Sequence, residues 1–524
     1  MPYSDAAEVR GSLATAAQSE VQTNTTASRG THSRRTLTRS SIPFIVILLA
    51  FIIIPVARYL FDDLYGPDEA LLLVYPQRII SGQWPNRDFF TAYGPGQFWL
   101  LAGVYKIFGA SVIAERLIGL FLHAAIVIGV VRVTQSRGRF VAGTAGCMSA
   151  MILALLNLSA FAWLGGLSLI IWSIAITLRR TSRRTSVVAG LLVGLVFAFR
   201  PELGPVAVVC QLPLLWRSHF KFSWLIGLGL GAVPMVIHLA VAGPEFVKNF
   251  LFVMRETSVG NTGQPDVPIA LRVTAVLLVA CVLAIACAAV RERDPALVAV
   301  GLLSIFLLPT AFQRMDITHI AYVGCFIWPM WLAIVVSRSK LAGGMVHRYG
   351  ARWLRGSFSV AAVIVIGATL TMEVSSWKPT YWLNHLDKSL PVRMANDSRD
   401  DTALILAINQ QVPIGRRIFI GSVDMNVLNY NPMYLYFLLP EYSPSGYYLE
   451  LPGGYGGVGK ALGADISGAD ALILSDTPDL QHNLYQSGFG GTFDVNEIVA
   501  EHFCQTGRYG FKLLYVRCQT EFSG

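Results

Sequence analysis

Four short polar stretches interrupt a largely apolar chain, and their residue types suit acid–base chemistry beside a phosphate. They are Asp68 and Glu69 in GPDEALLL, Arg87 and Asp88 in NRDFF, Arg200 and Glu202 in FRPELG, and Arg314, Asp316 and His319 in QRMDITHI. A carboxylate can act as a general base toward a hydroxyl. A guanidinium fork matches the oxygens of a phosphate. Asp316 and His319, three residues apart, could contribute to a divalent-cation site, but two side chains do not make one. Each stretch also has a purely local reading. Pro67 suits a first helical position, with Asp68 and Glu69 complementing the helix dipole, and Pro201 with Glu202 repeats that arrangement. Arg87 and Asp88 could form an exposed ion pair worth little, and His319 could be a satisfied buried histidine. The surrounding elements decide between these readings.

Of 524 residues, 54% are hydrophobic and only 14% are charged. A soluble globular chain carries roughly 25% charged residues, so water is not the main solvent here. The apolar residues fall into blocks at 42–60, 115–132, 141–157, 159–178, 187–199, 204–216, 222–242, 269–290, 296–311, 319–336 and 357–374. Most have about the length needed to cross a hydrocarbon core, so the chain reads as a polytopic α-helical membrane protein of about 11 transmembrane helices. Residues 1–41, rich in Ser, Thr, Ala and Arg, read as a disordered cytoplasmic tail. The first apolar block starts too far along, and is too long, for a cleaved signal peptide.

With the N-terminus in the cytoplasm, the inside loops receive Arg132, Arg137, Arg139, Arg179, Arg180, Arg183, Arg184, Arg217, Lys221, Arg291, Arg293, Arg338, Lys340, Arg348, Arg352 and Arg355. That is a positive-inside pattern at every turn, and it accounts for the net charge of +9 without nucleic acid, for which no binding motif is present. The outside receives 61–114, the turn 199–204, the loop 243–268, the turn 312–318 and everything after 375. All four chemical stretches therefore share one face. Segment 93–108 is apolar but broken by Gly-Pro-Gly, and reads as a helix lying in the outer interface. Blocks 187–199 and 204–216 are too short to span, so FRPELG is expected to dip into the membrane, where charged irregular backbone needs a polar cavity.

Residues 375–524 alternate β-rich runs (RRIFIG, ADALILS, FKLLYVRC) with Gly/Pro/Asn-rich turns, the pattern of a small extracytoplasmic α/β domain. Cys504 and Cys518 fall there and are plausible disulfide partners in an oxidising compartment, although they flank the turn TGRYG unevenly. No Cys/His metal spacing is present among the seven cysteines.

Residues 67–109, PDEALLLVYPQRIISGQWPNRDFFTAYGPGQFWLLAGVYKIFG, resemble the first external loop of membrane glycosyltransferases with the GT-C fold, such as protein O-mannosyltransferases and aminoarabinose transferases. The shared pattern is Asp-Glu after the first helix, a Pro-x-Arg-Asp-Phe group, a Gly-Pro interfacial helix and a terminal Phe-Gly. The tail stretch NPMYLYFLLPEYSPSGYYLELPGG looks like one in bacterial members. The resemblance implies an enzyme of the cell membrane that uses a polyprenyl-phosphate sugar, with no cofactor beyond a possible divalent cation. Asp68 takes the position of the family's first-loop acid, which acts as, or orients, the catalytic base, and Glu69 that of the adjacent acid that orients base or acceptor. Arg87 and Asp88 match the loop's second charged pair. The resemblance does not reach Arg200, Glu202, Arg314, Asp316 and His319; their candidacy rests on the cavity reading, with Arg200 and Arg314 as donor-phosphate ligands and Lys248 and Arg255 as weaker choices. The implied reaction is inverting transfer to a cell-envelope glycan or lipid, or alternatively to a protein hydroxyl. A transporter or lipid flippase, or an inactive assembly factor, would share the many helices. The charges gather at one face, however, and no paired halves are evident, unlike many transporters.

Overall fold

The computed structural model describes residues 59–60, 66–251 except 92, 180, 181 and 217, 267–339 except 314, 398–423, 431–449 except 445 and 448, 459–476 and 495–518. The tail 1–41, nearly all of block 42–60 and the whole of block 357–374 lie outside the described residues.

Two helices, α1 Gly66–Ile80 and α2 Gly96–Phe108, lie within the stretch 61–114, and the apolar blocks from 115 to 336 form helices close to where the sequence puts them: α3 Val112–Thr134, α4 Arg139–Leu153, α5 Ala162–Arg179, α6 Arg183–Phe199, α7 Leu203–Leu215, α8 Lys221–Ala242, α9 Ile269–Glu292, α10 Pro295–Gln313 and α11 Ile317–Ser339. Among the described residues six of these, α3, α5, α8, α9, α10 and α11, are long and apolar enough to cross a membrane, and α4 and α7 are shorter apolar helices. Neither helix around FRPELG is among those long and apolar enough to cross a membrane, although α6 starts earlier than its apolar block. Ser182 and Thr185 form a capping box that starts α6 at Arg183, drawing Arg183 and Arg184 into its first turn. With 17 residues α6 exceeds its apolar block; α7, with 13, does not.

Close backbone approach, where only glycine fits, fixes how the helices meet. α6 crosses α8 at Gly190 and Gly194 against Gly227 and Gly231. A Cβ on Gly190 would stand 2.0 Å from the Trp224 carbonyl oxygen, and one on Gly231 2.1 Å from that of Leu191. This is the small-xxx-small packing of membrane helices. α1 is buried along its length from Ala70 to Tyr75 despite an internal Pro76. Proline lacks the N–H that would bond the carbonyl four residues back; that carbonyl, on Leu72, accepts instead from the Tyr105 hydroxyl of α2 at 3.0 Å.

After the helices comes a five-stranded sheet with flanking helices: α12 Ser398–Gln411, β1 Arg417–Ser422, α13 Tyr434–Leu438, β2 Ser443–Pro444, α14 Gly459–Ser467, β3 Ala471–Ser475, α15 Val495–His502, β4 Phe503–Tyr509 and β5 Lys512–Arg517. The strand order is β2-β1-β3-β5-β4. β1 runs parallel to β2 and β3, and β5 antiparallel to β3 and β4. Buried on both faces, the central strands read as continuous apolar runs, as such strands should. Cys504 and Cys518 are disulfide-bonded. An irregularity between Gln505 and Gly507 in β4 absorbs their uneven spacing about the turn. The helical part and the sheet belong to one compact unit, Ile47–Gly524.

Candidate functional site

One short segment, Asn157–Gly166, gathers much of the site at one end of the helices. Its Ala160 N–H donates to Glu115 Oε1 at 2.5 Å. Leu158 packs so closely that a Cβ on Gly119 would stand 1.7 Å from its carbonyl oxygen. In α5, Trp163 stacks on Tyr322 with ring centroids 5.0 Å apart, Gly165 meets Phe199 and Gln97, and Gly166 meets Arg200 and Leu203. The starts of α2, α3, α5, α7 and α11 and the end of α6 therefore converge. The opposite end collects Arg137, Glu292 and Arg338, with Arg137 and Arg338 each 3.1 Å from Glu292. A groove of 590 Å³ opens there beside Leu178, Trp216 and Arg293, and holds no candidate residue.

Asp68 and Glu69 occupy the first turn of α1, as the local reading requires, but their surroundings differ. Asp68 is half-buried. Glu69 is fully buried and forms a two-pronged ion pair with Arg116 of α3, Nε to Oε1 at 2.7 Å and Nη2 to Oε2 at 3.0 Å. Arg116 also donates from Nη1 to the Tyr59 carbonyl. Glu115 lies beside this pair and is buried. The sequence held a signal for Glu115 and Arg116: two charges open an apolar block, a costly placement that usually marks a site.

Arg87 and Asp88 lie in a tight loop. Asp88 accepts from the Trp84 N–H at 2.6 Å and pairs with Arg87 Nη2 at 2.6 Å. The Arg87 hydrogen bond, chiefly, holds the Asp88 carboxyl below its usual value. Asn86 centres the loop with φ 61°, a left-handed conformation that asparagine tolerates. Its Nδ2 donates to the Thr91 carbonyl at 2.8 Å, and its Oδ1 lies 3.2 Å from His238 Nε2 of α8. Trp84 Nε1 donates to His238 Nδ1 at 3.0 Å. Tyr447, after β2, clasps the same loop. Its hydroxyl donates to the Asn86 carbonyl at 2.8 Å and accepts from Asn249 Nδ2 at 3.0 Å. Its backbone carbonyl accepts from Phe90 N–H at 2.7 Å, while its N–H donates to Asp465. Burial raises the Asp465 carboxyl above its usual value. Arg78, at the end of α1, is buried over the Phe89 ring, and that burial lowers its pKa.

Arg200 follows α6, and its guanidinium lies 5.5 Å from the Tyr93 ring centroid. It is ion-paired through Nε with Glu202; both side chains are about a quarter exposed. The loop is pressed against this turn at Gly94, where a Cβ would stand 2.2 Å from the Ala198 carbonyl oxygen. Asp316 caps α11, accepting from the His319 N–H at 2.8 Å and lying 2.9 Å from His319 Nδ1. The His319 ring meets Tyr322, and through it Trp163. Arg314 and Arg255 lie outside the described residues. Lys248 is exposed and paired with Glu245 at 2.7 Å. Among the described residues no three His, Cys, Asp or Glu side chains come together as metal ligands. Arg200 with Glu202, and Asp316 with His319, thus meet through α5, while Glu69 belongs to a buried ion pair one residue from Asp68.

No protein-family model matches the chain, and no curated protein matches its sequence. Solved structures do match it. ArnT from Cupriavidus metallidurans bound to undecaprenyl phosphate superposes with TM-score 0.54 at 13% identity, covering 93% of this chain and 99% of that one. The same protein in the apo state gives 0.54 at 14%, covering 91% and 98%. An archaeal oligosaccharyltransferase from Archaeoglobus fulgidus gives 0.45 at 12%, covering 90% and 73%. The chain shares the fold of ArnT over nearly its whole length.

Proposed function

We propose that the protein is an inverting glycosyltransferase that moves a sugar from a polyprenyl-phosphate donor to a cell-envelope glycan or lipid. The N-terminus is cytoplasmic, and the site and the sheet face the other side. The observation that carries this reading is Arg200. It is a partly exposed guanidinium, held over Tyr93 and between two helix ends, in a fold whose relative was solved with undecaprenyl phosphate.

In this scheme Arg200 binds the donor phosphate, and its charge stabilises the departing polyprenyl phosphate as the anomeric carbon–oxygen bond breaks. Asp68 takes the proton from the acceptor hydroxyl while that oxygen bonds the anomeric carbon from the opposite side. Glu69 is a positioning residue. Its pairing with Arg116 anchors the first turn of α1, where Asp68 is the neighbouring acid. Asp88 and Asn86 shape the loop that carries Tyr93. The exposed apolar residues Ile107 and Phe108 at the end of α2 suit a helix seated in the outer interface.

The direct test is sugar transfer by membranes supplied with a panel of radiolabelled polyprenyl-phosphate sugars. The reading expects transfer from at least one donor, lost in Arg200→Gln. Absence of transfer with every donor, alongside lipid flipping, would replace it with the flippase reading.

A further inference from the structure

Gln97 is fully buried, yet among the described residues neither its Nε2 nor its Oε1 has a hydrogen-bond partner. Buried amides are almost always satisfied, and an unsatisfied one signals an unseen water or a ligand. Its neighbours favour a ligand. Gln97 opens α2 directly after the Tyr93-Gly94-Pro95-Gly96 turn. A Cβ on Gly165 would stand 3.2 Å from its Oε1 and 2.5 Å from Phe199 Cδ1. One residue further along both elements, a Cβ on Gly166 would stand 3.4 Å from Arg200 Cβ. The amide therefore sits one residue behind the Arg200–Tyr93 stack. Trp163, three residues before Gly166 and so on the same face of α5, also leaves its indole N–H buried with no partner among the described residues.

We propose that Gln97 reads a ring hydroxyl of the donor sugar, with the Trp163 N–H as a second donor. This rests on the assignment of the donor phosphate to Arg200. In a polyprenyl-phosphate sugar the anomeric carbon is bonded directly to the phosphate oxygen, so the nearest hydroxyls flank the phosphate. A hydroxyl both donates and accepts, and a glutamine amide offers both complements. A site built to bond a hydroxyl discriminates against ligands that lack it.

The test compares binding of bare undecaprenyl phosphate with a panel of undecaprenyl-phosphate hexoses and pentoses, using the full-length protein in nanodiscs. Wild type is expected to prefer one sugar-bearing lipid over the bare one. Gln97→Leu and Gln97→Met should each lower that preference about tenfold, the worth of a lost hydrogen bond, with bare-lipid affinity within about twofold. Their thermal midpoints should not fall, because an unpaired buried amide is replaced by an apolar group of similar size. A preference unchanged in either folded variant overturns the proposal. So does a lowered midpoint with intact preference, which would make the amide a water-satisfied structural group. Equal binding of bare and sugar-bearing lipids by wild type also overturns it. Arg200→Gln reports separately on the underlying reading: unchanged bare-lipid affinity there removes the phosphate assignment itself.

Discussion

At the residue scale, burial separates acids that look alike in the sequence. Asp68 and Glu69 are adjacent, but Asp68 is half-buried while Glu69 is fully buried against the Arg116 guanidinium, and breaking such a pair strands a charge. Glu69→Gln is expected to cost about 3–5 kcal/mol, read as a lowered unfolding midpoint, whereas replacing Glu69 and Arg116 together by Gln and Met should cost much less. Asp88 acts through pH. Its folded carboxyl is held below the ordinary 3.8, chiefly by Arg87. Its contribution to loop stability is therefore complete above 3.8 and is lost as pH falls through the depressed value. Proteolysis of the loop should rise only in strong acid, and Asp88→Asn should make the loop labile already at neutral pH. A loop equally resistant in Asp88→Asn would remove Asp88 from that role.

At the scale of elements, the loop carrying Tyr93 is clamped from two sides. α8 holds it through His238 on Asn86 and Trp84, and the α/β part holds it through Tyr447. Tyr447→Phe removes both hydroxyl bonds while keeping the ring, for roughly 1 kcal/mol per bond. Hydrogen exchange at residues 86–91 should speed up accordingly, with the sheet unaffected. Gly94→Ala places a methyl 2.2 Å from the Ala198 carbonyl, which backbone cannot yield cheaply. It should separate the loop from Arg200 and weaken undecaprenyl-phosphate binding. Affinity equal to wild type would show that the loop and the Arg200 turn act independently.

At the scale of the whole molecule, the helices were legible because apolar blocks of membrane length have few alternatives. α3, α5, α8, α9, α10 and α11 begin and end within a few residues of the apolar blocks. The start of α6 was not legible, since Ser182 and Thr185 extend a helix with arginines that hydropathy assigns to a loop. Of the candidate site, the polar stretches were legible as residue types. Their roles were not, because these depend on partners far along the chain. Arg116 lies 47 residues from Glu69 and Tyr447 lies 361 from Asn86. Gln97 showed as a lone polar residue in GQFWLL, but only packing reveals that its amide is unpaired. Asp68 remains the residue on which the functional account turns. Sugar transfer should therefore be compared in membranes bearing equal amounts of wild type and Asp68→Asn, supplied with the same labelled polyprenyl-phosphate sugars. The account predicts transfer by wild type and none above background by Asp68→Asn, which keeps the size of the side chain and removes the base. Undiminished transfer by Asp68→Asn would contradict it.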